Sequence, residues 1–370
     1  MKNSSNYIEA SGQTGEIPAT SLIKPGISNF NDDLPVFTGG KNYRRFLKEI
    51  ENREIVVHGS YPTALAFYSW LKKRTLKEYP VHDYLSSRIA KEMTGRLTKK
   101  ILVPVRDHRI DLDRAPAIPW LMEFYPDTPH FLITLPDLLG MNGAWQWYMN
   151  GIQYPVLPYK LHPFYGVYFP TRHEHLILFD QWLGRENNRF ESAVDIGTGC
   201  GILSFMMARH GIGRIHATDI NPNAVYSMLL EGKRFDPGAR ITIEHSSFFG
   251  SLKEVRQLAV FNPPWIPGMW AGITDRGIYY KEGFFKNFFD EAGRILIPGS
   301  VLVIIFSTFA LEAGISKTHP IEDECAVRGD FRIKERINRN VTERAGRSKN
   351  WINMIRAQEK IELWVLKKIR

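Results

Sequence analysis

Apolar positions along the chain change their spacing several times. Residues 1–33 are rich in Ser, Gly, Thr, Pro and Asn, show little period, and are expected to form a flexible arm. Helical spacing follows over Tyr43–Ile50, Ala64–Leu76 and Tyr84–Leu97, with short strand-like runs at Ile55–Val57 and Ile101–Val105. From Ala115 prolines punctuate a series of aromatics that includes Trp120, Phe124, Trp145, Trp147 and Tyr154, so no long helix is expected there. Beyond Gly166 the texture changes again. A helix is predicted over Glu174–Leu183, and apolar strands then alternate with helices. The strands are Ala193–Ile196, Ile215–Thr218, Ile241–Glu244, Ala259–Phe261 and Ser300–Phe306; the helices are Ile202–His210, Asn223–Phe235 and Phe284–Ile297. This alternation predicts a parallel sheet wrapped by helices. Phe331–Ile337 and Lys360–Leu366 alternate polar and apolar residues, as an antiparallel edge pair does. The pattern divides the chain into an arm (1–33), a mixed N-terminal substrate-recognition domain (34–165) and a catalytic α/β domain (166–370).

Composition narrows the class only slightly. With 44% hydrophobic and 24% charged residues among 370, the chain has the make-up of a globular protein with a full core. Its most apolar run, Ser300–Phe306, is far short of the roughly 20 residues that span a bilayer, so no membrane partner is expected. The start of the chain has no apolar signal core. There are 2 cysteines, Cys200 and Cys325, and no implied pairing, which fits a reduced, cytoplasmic setting. Net charge is +9, and the last forty residues hold 12 Lys/Arg against 4 Asp/Glu. Such a stretch attracts nucleic acid or an acidic partner, or else forms a solvated edge.

Candidate chemistry concentrates in two segments. In the first, Val194-Asp195-Ile196-Gly197-Thr198-Gly199-Cys200-Gly201, a buried strand ends in a glycine-dense turn and a helix follows. Glycines let the backbone turn sharply and approach a ligand closely, at the strand ends where doubly wound sheets bind cofactors. The spacing is G-x-G-x-G, with Ile202 where a dinucleotide fingerprint has its third glycine. Asp219 ends the next strand, 24 positions after Asp195, where a carboxylate can accept both ribose hydroxyls of a nucleoside. The competing reading of Asp219 is a helix cap before Asn221-Pro222. Asp195 either orients the turn or meets an ammonium group of the cofactor. These features make Asp195, Gly197, Thr198, Gly199, Gly201, Asp219, Ile220 and Asn221 candidate cofactor-binding residues.

The second segment is Ala259-Val260-Phe261-Asn262-Pro263-Pro264-Trp265. Its prolines stiffen the turn and remove two backbone donors while leaving carbonyls free to accept. In an amide or aryl amine the nitrogen lone pair is delocalised and weakly nucleophilic. Two acceptors aimed at its N–H groups, the Asn262 side-chain oxygen and the Pro263 carbonyl, localise the lone pair and stabilise the charge that develops on nitrogen. Trp265 is expected to stack on a flat substrate. Asn262, Pro263, Pro264 and Trp265 are the candidate catalytic residues.

The pairing of VDIGTGCG with FNPPW resembles class I S-adenosylmethionine (SAM)-dependent methyltransferases of the small-methyltransferase group. That group includes glutamine methyltransferases of release factors and of a ribosomal protein, and rRNA methyltransferases acting on guanine. Tyr168-Phe169-Pro170-Thr171-Arg172-His173-Glu174-His175 resembles the motif that lies over the SAM site in this group, which adds Arg172 to the cofactor candidates. The resemblance implies a Rossmann-like seven-stranded α/β sheet with an additional N-terminal α+β domain. It also implies SAM as cofactor with S-adenosyl-L-homocysteine as product, and no metal. Methyl transfer to a planar nitrogen follows, with RNA or a translation protein as partner. The family's acidic residue after the third strand is replaced by Ser246-Ser247-Phe248, so Ser247 and Phe248 are assigned to the adenine side, together with Asn262 at the cofactor's other end. The fourth motif residue is Trp rather than Tyr or Phe, and no second doubly wound pattern is legible in the N-terminal half.

Arg172-His173-Glu174-His175 lacks the H-E-x-x-H spacing of a zinc helix. Trp145 and Trp147, if on a strand, share one face and read as core or as a base-stacking platform. The alternative function is a small-molecule N-methyltransferase of a biosynthetic pathway, acting on a planar metabolite.

Overall fold

The computed structural model describes residues 8–10, 21–40, 43–186, 189–270, 274–341 and 350–370. It divides into two compact units, Lys24–Gln146 and a larger one comprising Met1–Ile23 with Trp147–Arg370.

The smaller unit is built on short strands in the order Ile27–Ser28, Phe131–Thr134, Ile101–Arg106, Ile55–Val57, Val36–Phe37. The last three are parallel, and Phe131–Thr134 runs antiparallel to Ile101–Arg106. Helices Tyr43–Asn52, Tyr61–Glu78 and Tyr84–Thr98 make the crossovers, so this unit is α/β by connection. Ser60 caps the second of these helices through Thr63 N–H, with Pro62 in the first turn. Asp83 and Ser86 form a reciprocal capping box on the third.

The larger unit holds the main sheet. Its strands are β1 (Ile8–Ala10), β2 (Ser192–Ile196), β3 (Arg214–Asp219), β4 (Arg240–His245), β5 (Leu258–Phe261), β6 (Val301–Ser307), β7 (Phe331–Asn340) and β8 (Lys360–Lys368), in the order β1-β4-β3-β2-β5-β6-β8-β7. All neighbours are parallel except β8, which runs antiparallel to both β6 and β7. The seven strands expected after Gly166 are present, and Ile8–Ala10 adds an eighth beside β4, within the segment expected to be a flexible arm. Most of the rest of the arm's first 20 positions lies outside the described residues.

Strand alternation places helices on both faces of this sheet. Val194 and Ile196 join a core with Phe285, Phe288, Phe289 and Ala292 of one helix (Phe284–Ile295). Asp195, pointing the other way, bonds to Ser204 in the helix α2 that follows β2 (Ile202–Arg209). Helix α1 (Glu174–Glu186) buries Leu176, Phe179, Trp182 and Leu183, and α3 (Pro222–Arg234) buries Ala224, Val225, Met228 and Glu231; the helix against Val194 is α4.

Three expectations change. The segment rich in proline and aromatics holds a 16-residue helix, Leu135–Asn150, because Pro136 falls in its first turn and no proline follows until Pro155. In that helix Trp145 and Trp147 do not share a face: Trp145 meets Trp120 edge-on at 5.1 Å, whereas Trp147 tilts against Phe169 at 5.8 Å. Residues 147–165 lie with the larger unit, where Phe164 N–H donates to Ser227 Oγ and His162 N–H to Glu231 Oε1 on α3. β7 and β8 form the antiparallel pair expected at the edge of the sheet, with β7 outermost. Ile361 to Leu366 are all buried, and Glu362 among them is held by His319, Arg336 and Trp364.

Candidate functional site

At the carboxyl ends of β2, β3 and β5 lies a cavity of about 310 Å³. Its wall takes Ile196, Gly197 and Gly199 from the first loop, Asp219, Ile220 and Asn221 from the tip of β3, and Phe261, Asn262 and Pro264 from the tip of β5. Tyr168, Ser246, Ser247 and Phe248 complete it on one side, and Trp270, Arg276, Gly277, Tyr279, Tyr280 and Phe284 on another. A second hollow of about 380 Å³ opens by Ser192, Arg214, Arg240 and Arg256, at the amino ends of β2–β4 and away from both motifs.

The glycine loop is fixed from behind. Asp195 is fully buried, and its Oδ2 accepts from Thr198 Oγ1 (2.7 Å), Ser204 N–H (3.0 Å) and Ser204 Oγ (2.6 Å). Burial pushes this carboxyl up from its ordinary range, and the three donors oppose that shift. Asp195 therefore ties the turn to the start of α2 and does not line the cavity. The glycines answer to space as well as to conformation. Gly201 has φ +81°, and a Cβ there would fall 2.0 Å from Met228 Sδ; at Gly199 (φ +55°) it would fall 2.9 Å from the Tyr168 carbonyl. That carbonyl accepts the Cys200 N–H at 3.1 Å, so the strip before α1 is stitched to the loop.

Asp219 faces the cavity. Its Oδ2 accepts Gly199 N–H and its Oδ1 accepts Asn221 N–H, both at 2.8 Å. Each oxygen retains a lone pair. Burial pushes its pKa up to about 6 against those two bonds. The capping alternative falls to Asn221, whose side chain accepts from Asn223 N–H at 3.1 Å with Pro222 at the start of α3. Ser246 lies on the cavity wall, but its Oγ is buried toward Gly250 and has no hydrogen-bond partner among the described residues. Beside it Phe248 adopts φ +45°, a left-handed conformation unusual for an aromatic, and its carbonyl is held by Thr218 Oγ1 at 2.5 Å.

At the tip of β5, Asn262 lines the cavity and its Oδ1 accepts the indole N–H of Trp265 at 3.0 Å. The same N–H lies 3.3 Å from the Ile305 carbonyl. The Trp265 ring packs edge-on against His175 at 5.6 Å and against the core around α4. His175 is buried, which pushes its pKa down to about 4 and leaves it neutral. Trp265 is thus turned inward and does not line the cavity, so it does not offer the stacking surface expected of it. The stacking surfaces on the wall are Trp270, Tyr279, Tyr280 and Phe284, with Lys281 4.1 Å from the centre of the Trp270 ring.

Of the sequence-derived candidates, the cavity brings together Gly197, Gly199, Asp219, Ile220, Asn221, Ser247, Phe248, Asn262 and Pro264. Asp195, Thr198, Gly201 and Trp265 stand behind that wall, Pro263 is buried between Asn262 and Pro264 of the wall in the chain, and Arg172 turns toward the buried Glu359 at 3.9 Å. Tyr168 and Ser246 were quoted within motifs but given no role, and Trp270, Arg276, Gly277, Tyr279, Tyr280 and Phe284 were not singled out; aromatics recurring after an Asn-Pro-Pro turn were the available signal. Cys200 is buried, and its thiol is pushed up to about 12, which removes it as a nucleophile. In the basic C-terminal stretch, Lys334 pairs with Glu186, Arg336 with Glu322 and Glu362, and Lys368 with Asp330; residues 342–349, with Arg344 and Lys349, lie outside the described residues. Among the described residues no three His, Cys, Asp or Glu gather as metal ligands, and no helix is long and apolar enough to cross a membrane.

Comparison with known proteins bears on the same region. Residues 169–233 match the family model described as ribosomal protein L11 methyltransferase (PrmA). The release factor glutamine methyltransferase of Moorella thermoacetica is 28% identical over 149 residues, 38% of this chain and 52% of that protein. The ribosomal protein L11 methyltransferase of Anoxybacillus flavithermus is 32% identical over 174 residues, 46% of this chain and 48% of that protein. The chain thus spans about half the length of these curated relatives. Among solved structures, ribosomal protein L11 methylase from Lactobacillus delbrueckii subsp. bulgaricus aligns at 16% identity with a TM-score of 0.36, over 55% of this chain and 83% of that one. The fold follows from strand order instead. Counted from β2, the sheet reads 3-2-1-4-5-7-6 with the last strand inserted antiparallel, whereas a dinucleotide-binding sheet reads 3-2-1-4-5-6. The larger unit thus has the Rossmann-like sheet, with seven strands after Gly166, that the resemblance to class I SAM-dependent methyltransferases implies, and residues 169–233 are similar in sequence to the ribosomal protein L11 methyltransferase family.

Proposed function

We propose that the chain is a SAM-dependent N-methyltransferase acting on a planar amide or exocyclic amino nitrogen of RNA or of a protein glutamine. The observation that carries this reading is the meeting of Asn262, Asp219 and the glycine loop on the wall of one cavity.

The residues fit such a cofactor. The cavity offers a carboxylate whose lone pairs suit a ribose diol (Asp219), Ser247 and Phe248 for the adenine, and largely apolar walls. Gly197 and Gly199 give backbone approach, Ile220 and Asn221 flank the sugar side, and Asp195, Thr198 and Gly201 hold the loop in shape. Arg172, facing Glu359, braces the strip before α1. When bound, SAM supplies a methyl group already activated by its sulfonium.

The protein's own task is the nitrogen. Asn262 Oδ1 and the Pro263 carbonyl accept from its N–H groups, favour a pyramidal geometry and stabilise the charge that develops there. Pro263 and Pro264 keep that tip of β5 stiff, and the cavity wall holds the reacting atoms in line. No general base is required before transfer, because the proton left on the methylated nitrogen is acidic and departs to water.

Nothing among the relatives favours the small-metabolite alternative, since both are named for protein substrates. The test is transfer of labelled methyl from SAM to separated cellular RNA, protein and small-molecule fractions. Label in RNA or protein is the expected result and names the class. Label confined to small molecules would transfer the assignment to the metabolite reading.

A further inference from the structure

The Asn-Pro-Pro-Trp segment contains a bond that its sequence does not announce. A side-chain amide has two nearly isosteric orientations about its last torsion. At Asn262 one orientation presents an acceptor to the cavity and the other presents donors. An indole nitrogen can only donate, so the Trp265 Nε1–H, 3.0 Å from Asn262 Oδ1, is compatible with a single orientation. The flipped amide would set donor against donor.

Trp265 is itself anchored at several points. Its N–H is shared with the Ile305 carbonyl on β6 (3.3 Å), its ring meets His175 of α1, and its backbone N–H donates to the Ile278 carbonyl at 3.2 Å. Among the described residues Asn262 has no comparable set of ties; it is half-buried at the cavity wall.

We propose that Trp265 is a positioning residue for the methyl-acceptor site. Its indole N–H locks the Asn262 amide with the oxygen as the presented face, and this discriminates for acceptors that bring N–H donors rather than lone pairs. The proposal rests on the assignment of Asn262 as the acceptor of those N–H groups. It replaces stacking with orientation as the reason for an aromatic residue at position 265. One Oδ1 lone pair goes to the indole, so one is left for substrate, and the second substrate N–H must find a backbone carbonyl.

The test replaces Trp265 with β-(3-benzothienyl)alanine, which keeps the bicyclic shape and its packing on His175 but has no N–H. The expected variant melts and binds SAM like the wild type, with kcat about tenfold lower toward whichever fraction accepts label, the order of loss that poor orientation causes. Trp265→Phe, which also loses packing, is expected to lose at least as much kcat and some stability. An analogue with full kcat overturns the proposal. A second readout needs no acceptor: in the ¹⁵N-labelled protein the Trp265 indole N–H signal should shift and exchange faster in Asn262→Ala. An unmoved signal overturns it as well. Failure of the underlying reading looks different, because Asn262→Ala itself would then retain full transfer.

Discussion

The cavity's two ends are secured in opposite ways. At the tip of β3 a carboxylate is gripped by backbone: Asp219 accepts amides from Gly199 and Asn221, and behind it Asp195 accepts three donors from the loop and α2. At the tip of β5 an uncharged amide is held by one indole N–H. Backbone donors come with the fold and fix a binding surface. A side-chain donor can be lost without disturbing the strand, and it fixes only the orientation of one group. Binding and chemistry separate along the same line: substitutions at the first end should act on fold and cofactor affinity, those at the second on turnover.

The sharpest separation is expected at Asn262. Asn262→Ala should leave SAM affinity within about twofold and lower kcat by roughly 10²–10³, the loss seen when one preorganised transition-state partner is removed. Equal losses in affinity and kcat would erase the distinction between the two ends.

Gly201→Ala comes next. The new methyl group meets Met228 and Phe205 and imposes a left-handed residue, so about 2–4 kcal/mol of stability should be lost, with an altered loop in any protein that folds. A chemical melt with an unchanged midpoint would mean that the loop has more room than its packing indicates.

Asp219→Ala should weaken SAM by about 1–3 kcal/mol through lost buried hydrogen bonds, with kcat at saturation nearly intact. Isothermal titration checks it, and unchanged affinity would remove the ribose assignment.

The smallest effect is in pH. Burial raises the Asp219 pKa to about 6, above its unfolded value, so the folded state binds the extra proton and this group's contribution to stability falls as pH rises through that window. Ribose recognition runs the other way, because the ionised carboxylate is the better acceptor. SAM affinity should therefore weaken as pH drops below about 6, by up to about tenfold per unit, and Asp219→Asn should flatten that dependence.

The main sheet after Gly166 was legible because its seven strands are 4 to 10 residues long and its motifs sit at strand ends, where period and chemistry coincide. The smaller unit was not legible as a parallel sheet. Val36–Phe37 and Ile55–Val57 are too short to establish a period, and the long helix at Leu135–Asn150 was obscured by prolines that cluster outside it. The eighth strand, Ile8–Ala10, lies in a segment whose composition favours disorder, and its place in the sheet comes from a tertiary pairing with β4. At the site, Asp219 and Asn262 could be named from position alone. The inward turn of Trp265 could not, because it depends on Ile305 and His175, which are remote from it in sequence.

The most direct single measurement is calorimetric titration of the full chain with SAM, with NAD as the control. Saturable SAM binding at one site, competed by S-adenosyl-L-homocysteine, with no comparable response to NAD, is the predicted result. Failure to bind SAM, or preferential binding of NAD, would contradict the assignment of the glycine loop and the methyl-transfer chemistry built on it.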